Sequence, residues 1–288
     1  LPICFGFVDF IDDDEVVDAL FGAVEKWARE QGMEEIHGPM GFTDMDHEGM
    51  LIEGFDQIGT MATIYNYPYY PKQVERIGYG KDQDWHEFKI YIPDGVPEKH
   101  LREIVKKKYG LKVLKFKNAK EIMPYARPVF HTLNAAFAPL YGFAQLTEKQ
   151  IDYYINMYIP MLRYDLVTLI VREEDNAVVG FGISLPNLSR ALQKARGHML
   201  PFGWIHLLKA LKSKPKVIDL YLTGVLPEYQ SKGVNALLFN DLIPVYKRIG
   251  AVYAESNPEL ETNSAVQAQW DYFKREHHKS RRAYIKKL

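Results

Sequence analysis

The chain has 288 residues, of which 47% are hydrophobic and 25% charged, a composition typical of soluble globular proteins. Its formal net charge of −1 provides no overall field that would recruit nucleic acid or an anionic membrane. The single cysteine, Cys4, excludes an internal disulfide and a cysteine-rich zinc site, and it fits a reducing, cytoplasmic setting. No apolar run has the length of a membrane span, and the chain length suggests roughly two domains.

The first half is predicted to open with a β-α-β unit. Residues 3–10 form a short apolar strand, and residues 14–31 a helix with an apolar stripe of 3.6-residue period. Residues 35–42 are predicted as a second strand, 35–39, that runs into a Gly/Pro turn. Such a unit implies parallel strands with a right-handed crossover. Residues 43–72 are rich in Gly, Asp, Tyr and Pro and are predicted as loop, with a strand at 85–92. Because the chain begins at Leu1 without an initiator Met, we expect a preceding segment or a removed leader.

The second half is predicted to alternate strands and helices less regularly. A charged helix at 97–108 connects the halves. The further predicted elements are strand 111–117, helices 119–137 and 147–162, strands 166–172 and 177–185, a helical segment 188–212 broken near Pro201, strand 217–226, helix 232–249, strand 251–256, helix 263–275 and strand 282–287. This order predicts a mixed α/β (α+β) fold and not a doubly wound sheet.

The passage from strand to helix at residues 225–238 carries the most chemistry. The loop amides and the first helical N–H groups point into one concavity, which makes an anion site. Gly233 allows close approach of the backbone, and Lys232 adds a positive charge.

This passage resembles the pyrophosphate loop of the GNAT (N-acetyltransferase-like) superfamily, with the pattern Arg/Gln-x-x-Gly-x-Gly/Ala. Gln230 and Gly233 match the first two positions, and Asn235 stands where Gly or Ala is usual. The resemblance implies a central mixed sheet flanked by helices, acetyl-CoA or another acyl-CoA as co-substrate, and direct acyl transfer to a small-molecule amine. The coenzyme-binding residues that it implies are Thr223, Gly224, Val225, Gln230, Ser231, Lys232, Gly233, Val234, Asn235 and Asn263.

The catalytic groups are less clearly marked. Trp270 stands where the superfamily commonly has a Tyr as general acid, and Trp cannot donate a proton with a useful pKa. Tyr272 lies roughly 200° further around a helix and would face away. Asp219 and Glu255 lie on or near the strands where the superfamily often places its base. They are candidate catalytic bases, or else solvated carboxylates at strand ends.

The first half resembles the second in outline. Its loop before the first helix, Asp12-Asp13-Asp14, lacks glycines and would repel a pyrophosphate. We therefore predict a partial, degenerate GNAT-like lobe at 1–95, a linker helix at 96–110 and a GNAT-like acyl-CoA-binding domain at 111–288.

Three other segments allow two interpretations each. Polar residues 37–49 could hold a metal, but a structured loop without metal is favoured. The loop residues around Tyr65, Asn66, Tyr69 and Tyr70, with Glu53 and Asp56, could line an acceptor pocket or form a folded surface. The amphipathic, basic residues 199–212 could contact a membrane or an acyl chain, although burial against the domain is favoured.

The leading prediction is an acyl-CoA-dependent N-acyltransferase, with acetyl as the expected acyl group. Two alternatives stay open: a non-catalytic acyl-CoA or small-ligand binding protein, as Asn235 and Trp270 suggest, and a long-chain acyl or aminoacyl transferase that contacts lipid. The sequence names neither the acceptor nor an oligomeric state.

Overall fold

The computed structural model describes residues 2–95 and 99–288. Contacts between residues group the chain into two compact units. Unit 1 comprises Leu1–Phe88, Pro258–Ser264 and His277–Leu288, and unit 2 comprises Lys89–Asn257 and Ala265–Glu276. Nowhere in the described ranges is a helix long and apolar enough to cross a bilayer.

Unit 1 combines two helices with short strands. The strands are β1 (Pro2–Cys4), β2 (Glu35–Gly38), β3 (Met50–Glu53), the first part of β4 (Gly80–Tyr91), β10 (Glu259–Leu260) and most of β11 (Arg275–Lys287); the helices are α1 (Asp14–Glu30) and α2 (Tyr69–Arg76). As the β-α-β pattern predicts, β1 and β2 pair in parallel. Strand β11 pairs antiparallel with β2 and with β3, so the last residues of the chain complete this sheet.

The core of unit 1 is aromatic. Phe10, Phe21 and Tyr79 are buried, and Phe21 packs edge-on against both of the others. Helix α1 begins where the Asp13 carboxylate accepts the N–H of Val16, and it buries Val17, Phe21 and Ala28 against this core.

Unit 2 is the larger mixed α/β unit. Its strands are the end of β4, β5 (Leu111–Leu114), β6 (Val167–Arg172), β7 (Val178–Pro186), β8 (Val217–Val225) and β9 (Tyr253–Ser256). Its helices are α3 (Lys99–Tyr109), α4 (Ala119–Phe137), α5 (Glu148–Tyr158), α6 (Ser189–Ala195), α7 (Gly203–Lys212), α8 (Val234–Ile249) and the short α9 (Ser264–Ala268), whose first residue belongs to unit 1.

The sheet of unit 2 has the order β4-β9-β8-β7-β6-β5. All neighbours are antiparallel except β8 and β9, which are parallel. Helix α8 packs one apolar face on this sheet, with Leu237, Leu238 and Leu242 buried. The sheet is therefore mixed, as predicted.

Several predicted elements differ from the structure. Strand 3–10 ends at Cys4, because Phe7 has a left-handed φ of 52° and Gly6 lies so close to the Met40 carbonyl that a Cβ would overlap it. The second strand agrees with the prediction within one residue: it ends at Gly38, just before Pro39, which has no N–H for a ladder. A strand, β3, lies within the predicted loop 43–72 because Met50–Glu53 pairs with β11.

The largest correction concerns the helix predicted at 263–275. Only Ser264–Ala268 is α-helical, a 3-10 turn covers Gln269–Tyr272, and Arg275 already belongs to β11. The last strand is accordingly longer than the predicted 282–287. After the 3-10 turn, the Lys274 carbonyl accepts the Tyr91 N–H of β4 at 2.9 Å, so the chain already lies beside β4 where the helix was predicted to continue.

The compact units also cross the predicted domain boundaries. Contacts place residues 277–288 in unit 1, whereas the sequence assigned them to the domain 111–288. Helix α3, predicted as a linker, packs Val105 and Tyr109 against the core of unit 2. The predicted partial GNAT-like copy in residues 1–95 stays a prediction.

Candidate functional site

The loop before α8 is built as an anion site. After the 3-10 turn Pro227–Tyr229, Ser231 and Gly233 adopt left-handed φ angles of 57° and 79°. These turns leave the backbone N–H groups of Ser231 to Asn235 without a hydrogen-bond acceptor among the described residues, whereas the next amide, that of Ala236, bonds to the Gly233 carbonyl at 3.1 Å. Ser231, Lys232 and Gly233 are exposed. A row of free amides at a helix N-terminus attracts phosphate oxygens.

Gly233 is required at its position for two reasons. Its φ of 79° is costly for any residue with a Cβ, and a Cβ placed there would lie 3.1 Å from Val105 Cγ2 of α3. The sequence pattern that singled out this glycine therefore has a steric basis.

Strand β8 loses its β9 neighbour halfway along. The parallel pairing covers Val217 to Leu220 and stops where Leu220 faces Ser256. The side chain of Asn257 then bonds to the Tyr221 carbonyl. Beyond this point the edge of β8 that faced β9 no longer has a strand beside it.

The free edge presents the backbone groups of alternate residues. The Leu226 N–H bonds to the Val179 carbonyl of β7 at 2.9 Å, and Gly224 faces Phe181 in the same ladder. Because hydrogen-bonded pairs alternate in antiparallel strands, Gly224 points its backbone groups toward β7 while Thr223 and Val225 point theirs to the open edge.

The side chain of Gln230 acts on this edge. Its Nε2 donates to the Val225 carbonyl at 3.0 Å, which ties the end of β8 to the loop. Gln230 thus stabilises the conformation of the loop. The residues whose N–H groups are open, Ser231 to Asn235, come directly after it in the chain.

The β7–β8 ladder contains a bulge at Tyr221. Ile183 pairs with Leu222 and Ser184 pairs with Leu220, so Tyr221 is the extra residue. Bulges redirect side chains and are frequent next to functional sites. The Tyr221 hydroxyl donates to the Tyr158 hydroxyl of α5 at 2.8 Å. Burial first, and the bond to Tyr158 second, raises the pKa of Tyr221, so it stays protonated.

Positive charge surrounds the anion loop. The Lys232 Nζ lies 5.5 Å from the Tyr109 ring centre and 5.7 Å from that of Tyr229, and the Lys108 Nζ lies 5.3 Å from the Tyr109 ring centre. Helix α3 thus brings a second lysine toward the loop. This approach could not be predicted, since α3 is far from the loop along the chain.

The two candidate bases come together on neighbouring strands. Asp219 of β8 and Glu255 of β9 face each other in register, and they are only 3% and 2% exposed. Asp219 accepts a hydrogen bond of 2.7 Å from the Asn187 side chain. Asp219 and Tyr221 belong to the same strand and interact electrostatically. The alternative that both carboxylates are solvated at strand ends is wrong, because both are buried.

An apolar pocket begins at the bulge. It lies between α4, α5 and the strands β6 to β8. Its lining residues are Ile122, Ala126, Val129, Phe130, Leu133, Ile155, Tyr158, Ile159, Met161, Leu162, Val167, Leu169, Ile183, Leu185, Tyr221 and Leu222. The sequence did not reveal this pocket, because its lining residues look like ordinary core positions.

Three other residues singled out from the sequence, Asn263, Trp270 and Tyr272, lie outside the loop. Asn263 falls in unit 1, and its assignment to the coenzyme site stays a prediction. Trp270 is 4% exposed and packs edge-on against Phe239 and Phe273, whereas Tyr272 is 72% exposed. Trp270 is thus a core residue, which agrees with its rejection as a general acid.

The polar loop 37–49 is held by its own hydrogen bonds. Asp46 accepts the N–H groups of Phe42 and Thr43 at 2.9 and 3.1 Å. His37 bonds through Nδ1 to Asp82 at 2.6 Å. Among the residues that the structure describes, no group of three or more His, Cys, Asp or Glu side chains could hold a metal ion.

The residues proposed for an acceptor pocket in unit 1 have internal partners. The Asn66 amide bonds to both backbone groups of Leu51, Tyr69 donates to the Phe10 carbonyl at 2.7 Å, and Tyr70 donates to Asp9. These contacts favour the interpretation as a folded surface.

Comparison with known proteins identifies the family. No protein-family model matches the chain. YghO of Escherichia coli is 30% identical over 292 residues, which cover 99% of this chain and 74% of YghO. The chain belongs to the YghO family. A second relative is the bacterial ceramide synthase of Caulobacter vibrioides, which is 28% identical to this chain over 228 residues. The aligned region covers 79% of this chain and 59% of the synthase.

Solved structures establish the fold. A GCN5-related glucosamine N-acetyltransferase region of a fungal multi-domain beta-N-acetylglucosaminidase superposes with a TM-score of 0.52 at 12% identity, covering 93% of this chain and 27% of that one. A GCN5-related N-acetyltransferase from Sphaerobacter thermophilus gives a TM-score of 0.50 at 13% identity, over 93% and 67% of the two chains. This member of the YghO family has the GNAT fold, as the loop pattern predicted.

Proposed function

We propose that this protein is an acyl-CoA-dependent N-acyltransferase that passes the acyl group directly to an amine. The observation that carries the proposal is the row of open amides from Ser231 to Asn235 at the start of α8. The diphosphate of the coenzyme carries the negative charge that such a row and Lys232 attract. The open edge of β8 at Thr223 and Val225 offers backbone partners for the amide groups of the pantetheine arm.

The buried carboxylates suit the proton transfer that the reaction needs. An amine attacks the thioester carbonyl carbon, the C–S bond breaks, and the amine loses one proton as the amide forms. Asp219 or Glu255 takes that proton. The same proton, returned by the carboxylic acid directly or through water, protonates the sulfur, so the coenzyme leaves as a free thiol and the carboxylate is regenerated. Both carboxylates lie beside the bulge at Tyr221, where an arm laid along β8 from the loop would end.

The apolar pocket favours a second candidate, a transferase for long acyl chains. It begins at Tyr221 and Leu222, so the acyl end of the donor would meet its mouth. The relative named a ceramide synthase is consistent with this, because ceramide is an N-acylated long-chain amine.

Isothermal titration with acetyl-CoA and palmitoyl-CoA, followed by free-thiol release with a panel of amines, tests both candidates. Release of thiol that depends on an amine supports transfer. Binding without release supports a non-catalytic binding protein, and absence of binding refutes the coenzyme site.

Chain length is tested by filling the pocket. Ala126→Leu is expected to lower kcat/KM for palmitoyl-CoA about tenfold while leaving acetyl-CoA unchanged, because even a single methylene in a fitted pocket changes discrimination by about that factor. Ala135→Leu on the same helix, outside the pocket lining, is the matched control. Equal effects of Ala126→Leu on both donors would refute the long-chain candidate.

A further inference from the structure

The segment between β7 and β8 stands out by charge. From Asn176 to Ile218 the sequence contains seven Lys and Arg residues and no Asp or Glu, in a chain whose net charge is −1. The segment holds α6 and α7, joined by residues 196–202.

All seven basic side chains are exposed, among them Arg190, Lys209 and Lys212. None of the seven forms an ion pair with a carboxylate in the described part of the chain. Their charge is therefore directed to solvent and available to a negatively charged partner.

The same segment exposes a cluster of large apolar side chains. Leu200 is 79% exposed, Phe202 70%, Met199 53%, and Trp204 and Leu208 43% each. Trp204 and Leu208 lie four residues apart on α7 and so share one helix face. The sequence favoured burial of residues 199–212 against the domain. These five side chains are not buried.

We infer that residues 189–216 form a docking surface for an anionic lipid bilayer, with Leu200, Phe202 and Trp204 entering the headgroup region. Exposed aromatic and aliphatic side chains surrounded by Lys and Arg are the pattern of interfacial membrane segments. The complete lack of acidic residues over this stretch matches the negative surface of such a membrane. This inference does not depend on the proposed acyl transfer.

Vesicle co-sedimentation of the full chain tests the inference. Phosphatidylcholine vesicles with about one third phosphatidylglycerol are expected to bind the protein at low salt, and pure phosphatidylcholine vesicles to bind it much more weakly. Raising the salt concentration should release it, because screening weakens surface charge.

Two double variants separate the contribution of the apolar side chains to membrane binding from that of the basic side chains. Leu200→Glu with Phe202→Glu should abolish sedimentation without a cost in stability, since both side chains are largely exposed. Lys209→Ala with Lys212→Ala should weaken binding to the anionic vesicles about 25-fold, because each basic residue near such a surface contributes a factor of about five.

The matched control is Phe7→Glu with Phe42→Glu in unit 1, where the two aromatic side chains are 71% and 82% exposed. Binding of the control should equal that of the native chain. The inference is overturned if anionic vesicles do not bind the native chain, if both lipid compositions bind equally, or if the control and the Leu200–Phe202 variant lose binding alike.

Discussion

Gly233 shows how one residue can determine whether the loop binds an anion. Its left-handed φ directs successive amides outward, and a Cβ at that position would lie 3.1 Å from Val105 of α3, a tight contact. The sequence predicted this position because glycine in a strand-to-helix turn has few other uses. The contact with Val105 could not be predicted, since α3 precedes the loop by more than a hundred residues.

Replacing Gly233 by Ala should weaken coenzyme A binding about tenfold, which corresponds to loss of roughly one charged hydrogen bond. Calorimetric titration with coenzyme A measures this. Gly250→Ala at the other end of α8 is the control, because Gly250 has a similar φ of 80° and lies outside the loop. Both variants should lose about 1–2 kcal/mol of stability from the strained backbone. A similar loss of coenzyme affinity in both would contradict the role assigned to the loop.

The carboxylate pair gives a prediction about turnover. Asp219→Asn or Glu255→Gln should lower kcat about 100-fold, the usual contribution of a general base, while coenzyme A affinity stays unchanged. Amine-dependent thiol release and titration are the two measurements. Asp175→Asn, in the exposed β6–β7 turn, should leave both unchanged. Full turnover in both the Asp219 and Glu255 variants would exclude these residues as the base.

At the scale of elements, the antiparallel strands and long helices could be predicted better than the short ones. Helix α4 has the predicted bounds, and Thr147 caps α5 as expected, with a capping box that includes Gln150. The helix predicted at 263–275 was wrong beyond Ala268, where a 3-10 turn places Trp270 against Phe239 and Phe273 in the core. The bulge at Tyr221 has no sequence signal, since the apolar run Leu220-Tyr221-Leu222 continues without a break through that position.

Strands β4 and β11 carry a buried ion network in unit 1. Arg281 Nε donates to Glu87 at 2.8 Å, and Lys279 Nζ forms an ion pair with the other carboxylate oxygen at 2.8 Å. None of the three side chains is more than 1% exposed. Burial acts to raise the pKa of Glu87, but the charges of Arg281 and Lys279 outweigh it and lower the pKa overall.

Glu87→Gln should therefore destabilise the protein by about 3–5 kcal/mol, because it leaves two buried cations without a counter-charge. Urea unfolding measures the change. The exposed pair of Glu276 with Lys89 supplies the comparison, and Glu276→Gln should cost less than about 1 kcal/mol. Comparable losses for the two variants would show that the buried network does not stabilise unit 1.

For the molecule as a whole, two buried acids should set the response of stability to pH. Burial raises the pKa of Asp44 to about 7, and burial with the charges of Asp44 and Asp46 raises that of Glu48 to about 8. Both acids are ionised in the unfolded chain above pH about 4.5. Between pH about 5 and 8 the folded protein therefore binds more protons than the unfolded chain does. The free energy of unfolding should consequently fall as pH rises over this range.

Thermal unfolding across this range checks the expected slope. The double variant Asp44→Asn with Glu48→Gln should flatten the profile and raise the melting temperature at pH 8. Asp46 is unchanged in that variant and keeps its two backbone hydrogen bonds. Any difference between the two profiles therefore comes from Asp44 and Glu48. A native profile that rises toward pH 8 would contradict the assignment.

The grouping of residues 277–288 with the first unit has a consequence for the order of folding. During synthesis, residues 89–257 leave the ribosome as one nearly uninterrupted stretch, so unit 2 can collapse early. Strands β2 and β3 must wait for β11, which follows them by more than 200 residues in the chain. Their open edges are exposed meanwhile, and a chaperone that shields unpaired strands would act on this half of the nascent chain.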